Sequence, residues 1–147
     1  MEKFTETGLW YMRKADLLTR AEVDLGNIQP NIDRMTENEF YLDAAAYHIQ
    51  QAVEKIMKYV LAQNGIKFPY THKILELCEA FDSNGIDYPE WIYKDASLLT
   101  EYAEKTRYGD SLVGNKRKVI ELLKLTQAWF NEIKLEEEYS KLLSETE

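Results

Sequence analysis

The chain has 147 residues, which is enough for a single domain that buries roughly two-thirds of the surface of its unfolded chain. Hydrophobic residues make up 45% and charged residues 30%, and no Pro-, Gly- or Ser-rich linker divides the sequence, so we predict one domain over residues 1–147. The net charge of −8 argues against duplex DNA as a partner, because such binding depends on Lys and Arg that neutralise phosphates.

The spacing of apolar residues predicts helices throughout. Apolar residues recur at intervals of three and four, and no sustained run alternates apolar and polar residues as a strand would. We expect a first helix over about residues 6–25, with Trp10, Leu17 and Ala21 on one face and Gly26 as its stop.

The second predicted helix has the clearest pattern. Thr36 and Glu39 have the spacing of a capping box, and neither Gly nor Pro interrupts the segment that follows as far as Asn64. The helix has two adjacent stripes, which predicts neighbours on two sides, as at the centre of a bundle. One stripe contains Tyr41, Ala45, His48, Ala52, Ile56 and Tyr59, and the other contains Leu42, Ala46, Ile49, Val53, Met57 and Val60.

Three further helices complete the prediction. Thr71 is expected to cap a short helix that ends at 83–85, and Pro89 suits the first turn of a fourth helix that stops at about 107–110. Their predicted core residues are Ile74, Leu77, Cys78, Phe81, Ile92, Ala96, Leu99 and Ala103.

A last helix is expected from about Asn115, with an acidic end at about 136–147 that frays. Its predicted buried face consists of Val119, Leu122, Leu123, Thr126, Trp129, Phe130 and Ile133. Because the connections are short, we expect an all-α, up-and-down bundle of four long helices and one short helix.

The sequence lacks the features of secreted or membrane proteins and of proteins held together by several cysteines. The N-terminus lacks a secretory apolar segment, and no stretch approaches the ~18 apolar residues of a membrane span, so we expect a soluble, cytoplasmic protein without a membrane partner. Cys78 is the only cysteine, which excludes an internal disulfide and a multi-cysteine metal site. Its spacing among apolar residues predicts a buried thiol.

Four short segments carry recognisable motifs. Trp10 is followed by RKADL at 13–17, and the segment YHIQQAVEKIMK at 47–58 contains the pattern Q-Q-A-x-E-K-x-x-K. The segment YTHKILEL at 70–77 is similar to T-H-x-L-x-x-L, and TRY at 106–108 is similar to R-Y-P. In this order, the segments resemble the HEPN family of higher-eukaryote and prokaryote nucleotide-binding domains.

The resemblance implies a bundle of four or five helices, usually dimeric. Active members of that family are metal-independent ribonucleases in which an Arg, which holds phosphate, is followed after four to six residues by a His, which moves a proton. Arg107 would therefore require a His at 112, 113 or 114, where this chain has Leu112, Val113 and Gly114. Gly109 also replaces the usual proline. We predict that the ribonuclease motif is incomplete, that the protein is a binding domain rather than an enzyme, and that it needs no cofactor.

A group of basic residues around Arg107 is the candidate binding site. An arginine fork, lysines and a stacking tyrosine suit a nucleotide or the end of a short single-stranded RNA. The alternative is that Arg107 pairs with an acid at a helix end and the lysines form a solvated face. The candidate residues are Lys105, Arg107, Tyr108, Lys116, Arg117 and Lys118.

The remaining polar residues offer weaker candidates. His72 and Glu76 have a spacing that suits two metal ligands on one helix face, but a second pair of ligands is missing, so we expect no metal site. The resemblance makes His72 a packing or helix-start residue, and we expect His48 to be hydrogen-bonded in the core or at an interface. We expect no acid–base pair from Asp43 and Glu54, because nothing in the sequence brings a third group near them.

These observations lead to two hypotheses. The first is a non-catalytic HEPN-like binding domain that forms a homodimer or pairs with a separately encoded minimal nucleotidyltransferase in a toxin–antitoxin-like or defence system. The second is a nucleotide- or RNA-binding or processing protein that uses the basic site around Arg107. A helical adaptor without any ligand is a third class that the sequence leaves open.

Overall fold

The computed structural model describes the backbone of residues 16–108 and 114–146 and the side chains of residues 16–105 and 114–145. Within these ranges the chain forms helices and contains no strand, so the expected all-α fold is confirmed. The helices are α1 at 16–26, α2 at Ile28–Asp33, α3 at Phe40–Gln63, α4 at Ile74–Ser83, α5 at Glu90–Lys94, α6 at Ala96–Tyr108 and α7 at Lys116–Thr146. None of the helices in these ranges is both long enough and apolar enough to cross a membrane.

Helix α3 is the central element of the bundle, as the sequence predicts. It packs against α2, α4, α6 and α7. Tyr41, His48 and Val60 are half-buried, and every other residue of the two predicted stripes is buried. Burial on two sides explains why this helix needs apolar residues over most of its circumference.

Both predicted N-terminal caps are wrong. Thr36 ends a short 3₁₀ segment, and the backbone amide of Phe40 donates to Asn38 Oδ1 at 3.0 Å. Thr71 accepts a hydrogen bond from the amide of Lys73, and the amide of Ile74, the first residue of α4, donates to Thr100 Oγ1 on α6. The acceptor at the start of α4 therefore comes from a neighbouring helix, which no local pattern predicts.

The number of helices also differs from the prediction. The fourth predicted helix is divided at Asp95 into α5 and α6, with Pro89 immediately before α5. Its four predicted core residues are nevertheless all buried. Helix α2 is an element that the sequence analysis did not assign, and it buries Ile28 and Ile32. The start of the first predicted helix, including Trp10, lies outside the described residues.

Helix α7 runs parallel to α3. Gly114, just before α7, contacts Asp43 near the start of α3, and Glu137 lies close to Tyr59 near the end of α3. The helix has 31 residues, or about 46 Å, against 24 residues and about 36 Å for α3. Its predicted face is buried as far as Ile133, except for Leu123, which is half-buried. From residue 134 to 145 the side chains are exposed or half-buried, although the helix continues to Thr146.

Candidate functional site

Glu54 is the centre of a buried polar cluster on α3. Its side chain is only 7% exposed, and Oε1 lies 3.0 Å from His72 Nδ1 and accepts a hydrogen bond from Gln50 Nε2 at 3.0 Å. Its second oxygen, Oε2, lies 3.1 Å from Lys58 Nζ. A buried carboxylate is tolerated when ions and hydrogen bonds replace its water, and here an imidazole, an ammonium and an amide do so.

Gln50 fixes the backbone of the same loop. Its Nε2 also donates to the carbonyl oxygen of His72 at 3.1 Å, and its own Oε1 accepts from Gln51 Nε2 at 2.6 Å. Helix α3 therefore holds both the side chain and the backbone of His72. Gln50, Gln51, Glu54 and Lys58 of the 47–58 segment and His72 of the 70–77 segment, which the sequence analysis singled out separately, belong to one hydrogen-bonded network.

The geometry of His72 defines what its imidazole can do. Because ionised Glu54 can only accept, the proton of a neutral ring is placed on Nδ1, and Nε2 then carries the lone pair. The His72 side chain is 63% exposed. Such a ring has the orientation that a general base requires. The sequence analysis found nothing that brings a third group near Glu54, whereas the structure places His72 and Lys58 there. The spacing of Gln50, Glu54 and Lys58 on one helix face was the signal available for this cluster.

A second buried carboxylate, on α1, also contacts α3. Asp24 of α1 lies 2.9 Å from His48 Nδ1 and also pairs with Lys55 Nζ. His48 is thus hydrogen-bonded, as expected. Asp24 and Glu54 each join one histidine to one lysine, and each connects α3 to a different part of the chain.

A third buried carboxylate, that of Asp43, holds the segment before α7. Its Oδ1 accepts a hydrogen bond from the backbone amide of Gly114 at 2.6 Å. The backbone approaches α3 so closely that a Cβ atom at 114 would lie 3.1 Å from Leu42 Cγ, 3.1 Å from Asp43 Oδ1 and 3.2 Å from the carbonyl oxygen of Leu42. Position 114 is one of the three at which the ribonuclease motif requires a histidine, and the packing admits no side chain there without displacement.

The described basic residues of the candidate site differ in their surroundings. Lys105 Nζ pairs with Glu101 at 2.7 Å on the exposed side of α6. Lys118 Nζ lies 2.9 Å from Asp95 Oδ2, and this hydrogen-bonded contact raises the pKa of Lys118. Lys116 and Arg117 are exposed at the start of α7.

The contact with Asp95 shows that the Lys118 ammonium lies far from Arg107. Asp95 directly precedes α6, whereas Arg107 is its penultimate residue, and a rise of 1.5 Å per residue separates the two by about 18 Å. The structure therefore does not bring the Lys118 ammonium to the end of α6 that carries Arg107. The side chains of Arg107 and Tyr108 lie outside the described part, as do residues 109–113, so the complete basic site stays a prediction.

Tyr102 lies on α6 among carboxylates. Its hydroxyl is fully buried and has no hydrogen-bond partner, the only such side-chain atom in the described part of the chain. Burial, and to a smaller extent the nearby carboxylates of Asp95, Asp43 and Glu101, raise the pKa of Tyr102 to about 12. The phenol is therefore protonated at neutral pH and is unsuited to act as a base.

The remaining nucleophile is inert. Cys78 is buried as expected, and burial raises the pKa of its thiol, although a hydrogen bond with the Tyr88 hydroxyl opposes this. The thiolate is the reactive form, so the thiol is protected at neutral pH. Across 16–108 and 114–146, no group of three or more His, Cys, Asp and Glu side chains is arranged to hold a metal ion.

A model of the HEPN domain matches residues 15–137. The chain belongs to the HEPN family. The match includes α3, all three buried carboxylates and the start of α7, and it ends before the last nine described residues of α7. Comparisons with curated proteins and with solved structures gave no match. The polar network around α3 is therefore part of a HEPN domain.

Proposed function

We propose that this HEPN protein is a non-catalytic binding domain that acts as a homodimer or with a separately encoded partner such as a minimal nucleotidyltransferase. The observation that carries the proposal is the close packing of Gly114 on Leu42 and Asp43. It adds a steric reason for the absence of histidine at position 114, and the sequence has no histidine at 112 or 113 either.

The two histidines that the chain does contain support the same proposal. His48 and His72 are both engaged through Nδ1 by buried carboxylates on or beside α3. The chain matches the HEPN domain over residues 15–137, while its sequence lacks the histidine that the ribonuclease motif places after the arginine.

Two measurements test this proposal. The purified protein is incubated with a fluorescently quenched single-stranded RNA, and light scattering after size exclusion gives its oligomeric state. We expect no cleavage above background, and a dimer or a stable complex with a protein recovered from the native cell. Cleavage by the wild type that disappears in Arg107→Ala would contradict the proposal, as would a monomer that recovers no partner.

The second candidate function is nucleotide or short-RNA binding at the basic residues. The start of α7 favours it, because Lys116 and Arg117 are exposed and form no ion pair with any described residue. Both lie in the first turn of α7, where the positive end of the helix dipole adds to their attraction for an anion.

This candidate is tested by titrating ATP, GTP and a short RNA into the wild type, Arg107→Ala and the double variant K116A/R117A. Lys124→Ala is the matched control, since Lys124 is also exposed on α7 but lies two turns further along. Weaker binding by Arg107→Ala and K116A/R117A alone supports the site. Equal weak binding by all four proteins removes it.

A further inference from the structure

The outer side of the end of α7 carries large exposed apolar side chains. Leu135 is 66% exposed, Tyr139 63%, Leu142 59% and Leu143 49%. Tyr139 lies four residues after Leu135, and Leu142 and Leu143 lie three and four residues after Tyr139. These spacings place the four side chains in one stripe along the helix. Positions i and i+2 of a helix are about 200° apart around its axis. Leu135 therefore lies on the side of α7 opposite to Ile133, the last buried residue of this helix. These four residues are called the outer stripe.

Exposure on this scale calls for an explanation. Single apolar residues on a surface are ordinary, but contiguous patches of a few hundred Å² usually mark a binding surface. Anchors at intervals of three and four residues are what one helix presents to another. Three of the four residues, Tyr139, Leu142 and Leu143, also lie beyond the matched HEPN domain, which ends at residue 137.

The borders of the outer stripe are acidic. By helical position, Glu136 lies along one border and Glu138 and Glu145 lie along the other. The two lysines of this segment are both directed at Glu137, with Lys141 at 2.9 Å and Lys134 at 3.8 Å. Among the described residues, no ion pair joins a cation to any of the three border glutamates, and Lys141 interacts with Glu138 and Glu145 only at longer range.

We propose that the outer stripe binds an amphipathic helix of a second protein whose apolar face is bordered by Lys and Arg. This inference rests on the proposed role as a binding domain, and it names the surface and the chemistry of the partner. Apolar burial supplies the attraction between the two helices, and the border charges select the partner.

The same charges disfavour a second copy of the chain on this surface. In an antiparallel pair of identical helices, the border that carries Glu138 and Glu145 faces its own counterpart. Like charges then stand opposite one another, which costs free energy and suppresses that pairing. A basic partner converts each of these repulsions into an attraction.

The test uses two synthetic helical peptides with the same leucine stripe, one bordered by Lys and the other by Glu. Fluorescence anisotropy measures their binding to the full chain at low and physiological salt. We expect the Lys-bordered peptide to bind, salt to weaken it, and the double variant L135S/Y139S to lose on the order of tenfold or more in affinity. Val23→Ser is the matched control, because Val23 is 61% exposed on α1 and should leave binding unchanged.

A charge-reversed variant sharpens the assignment. In E136K/E138K/E145K the borders become basic, so we expect the preference to switch to the Glu-bordered peptide. Equal binding of both peptides by the wild type, or unchanged binding by L135S/Y139S, overturns the proposal.

Two other occupants of the outer stripe give different results. A dimer that becomes monomeric in L135S/Y139S shows that a second copy covers the stripe. A large loss of thermal stability in that variant shows that the chain covers it with its own residues. Either result overturns the inference. If L135S/Y139S still recovers the native partner, the stripe assignment fails while the proposed binding function stands.

Discussion

Gly114 packs closely on α3 at one of the positions where the ribonuclease motif requires a histidine, and Gly114→Ala measures how much this packing contributes to stability. The added Cβ would lie 3.1–3.2 Å from a carbonyl oxygen, a carboxylate oxygen and a leucine carbon, all belonging to Leu42 and Asp43. The hydrogen bond from the Gly114 amide to Asp43, at 2.6 Å, leaves little freedom to move away. We expect a loss of about 1–3 kcal/mol in the free energy of unfolding, as for other overpacked sites.

Gly26→Ala provides the matched control. No atom lies within 4 Å of the corresponding Cβ position, and Gly26 is the last residue of α1. Alanine is favoured over glycine in a helix by about 0.5–1 kcal/mol, so this variant should be neutral or slightly more stable. Urea denaturation of the wild type and both variants gives the comparison, and the two substitutions should change stability in opposite directions.

Gly114→His tests whether the same packing also prevents ribonuclease activity. It restores the arginine–histidine spacing of the ribonuclease motif with Arg107, yet the Cβ atom of the new side chain would already lie 3.1 Å from Leu42 Cγ. We expect a protein less stable than Gly114→Ala and without ribonuclease activity. A stable Gly114→His variant that cleaves RNA, with activity lost on adding Arg107→Ala, would refute the steric explanation.

Four further substitutions test the polar network and two tyrosine hydroxyls. Glu54→Gln should lower the free energy of unfolding by about 2 kcal/mol or more, because it leaves the nearly buried Lys58 ammonium without its counter-ion. His72→Gln should lower it by less than about 1 kcal/mol, because that imidazole is mostly exposed. Similar losses for both variants in urea denaturation would contradict this. Tyr102→Phe should stabilise the protein by about 1 kcal/mol, since it removes an unpartnered buried hydroxyl, and Tyr88→Phe should lose about 0.5–1 kcal/mol with its hydrogen bond to Cys78. A loss in both tyrosine variants would reveal a partner, such as an ordered water, at Tyr102. Because burial raises its pKa, the thiol of Cys78 should react with a disulfide reagent at neutral pH only in denaturant, and rapid reaction of the folded protein would show that it is accessible.

The sequence predicts those parts of the fold that depend on local periodicity. The two apolar stripes of α3 identify it as the central helix, and the buried face of α7 follows from the same spacing as far as Ile133. Helix α2 is short and contains Pro30, so its burial of Ile28 and Ile32 depends on packing against α3 rather than on propensity.

The polar contacts are harder to predict, because they depend on which loops the fold brings to α3. His72 is 18 residues from Glu54, and Gly114 is 71 residues from Asp43. Spacing along α3 identifies polar residues on one face, but it does not identify the loop that meets them. Close approach at Gly114 leaves no pattern in the sequence at all, since a glycine there looks like any other turn residue.

The contacts of the two histidines determine which ring nitrogen is available for proton transfer. Buried carboxylates hold Nδ1 of both rings, so proton transfer at a bound RNA would have to use Nε2 of His48 or His72, and the His72 ring is much the more exposed. In a dimer, that ring is also the one more accessible to a second copy. Any ribonuclease activity of the purified protein should therefore be measured again in His72→Gln and His48→Gln. Activity lost only in His72→Gln would identify a different catalytic arrangement, whereas activity unchanged in both would point to a contaminating enzyme and leave the binding proposal intact.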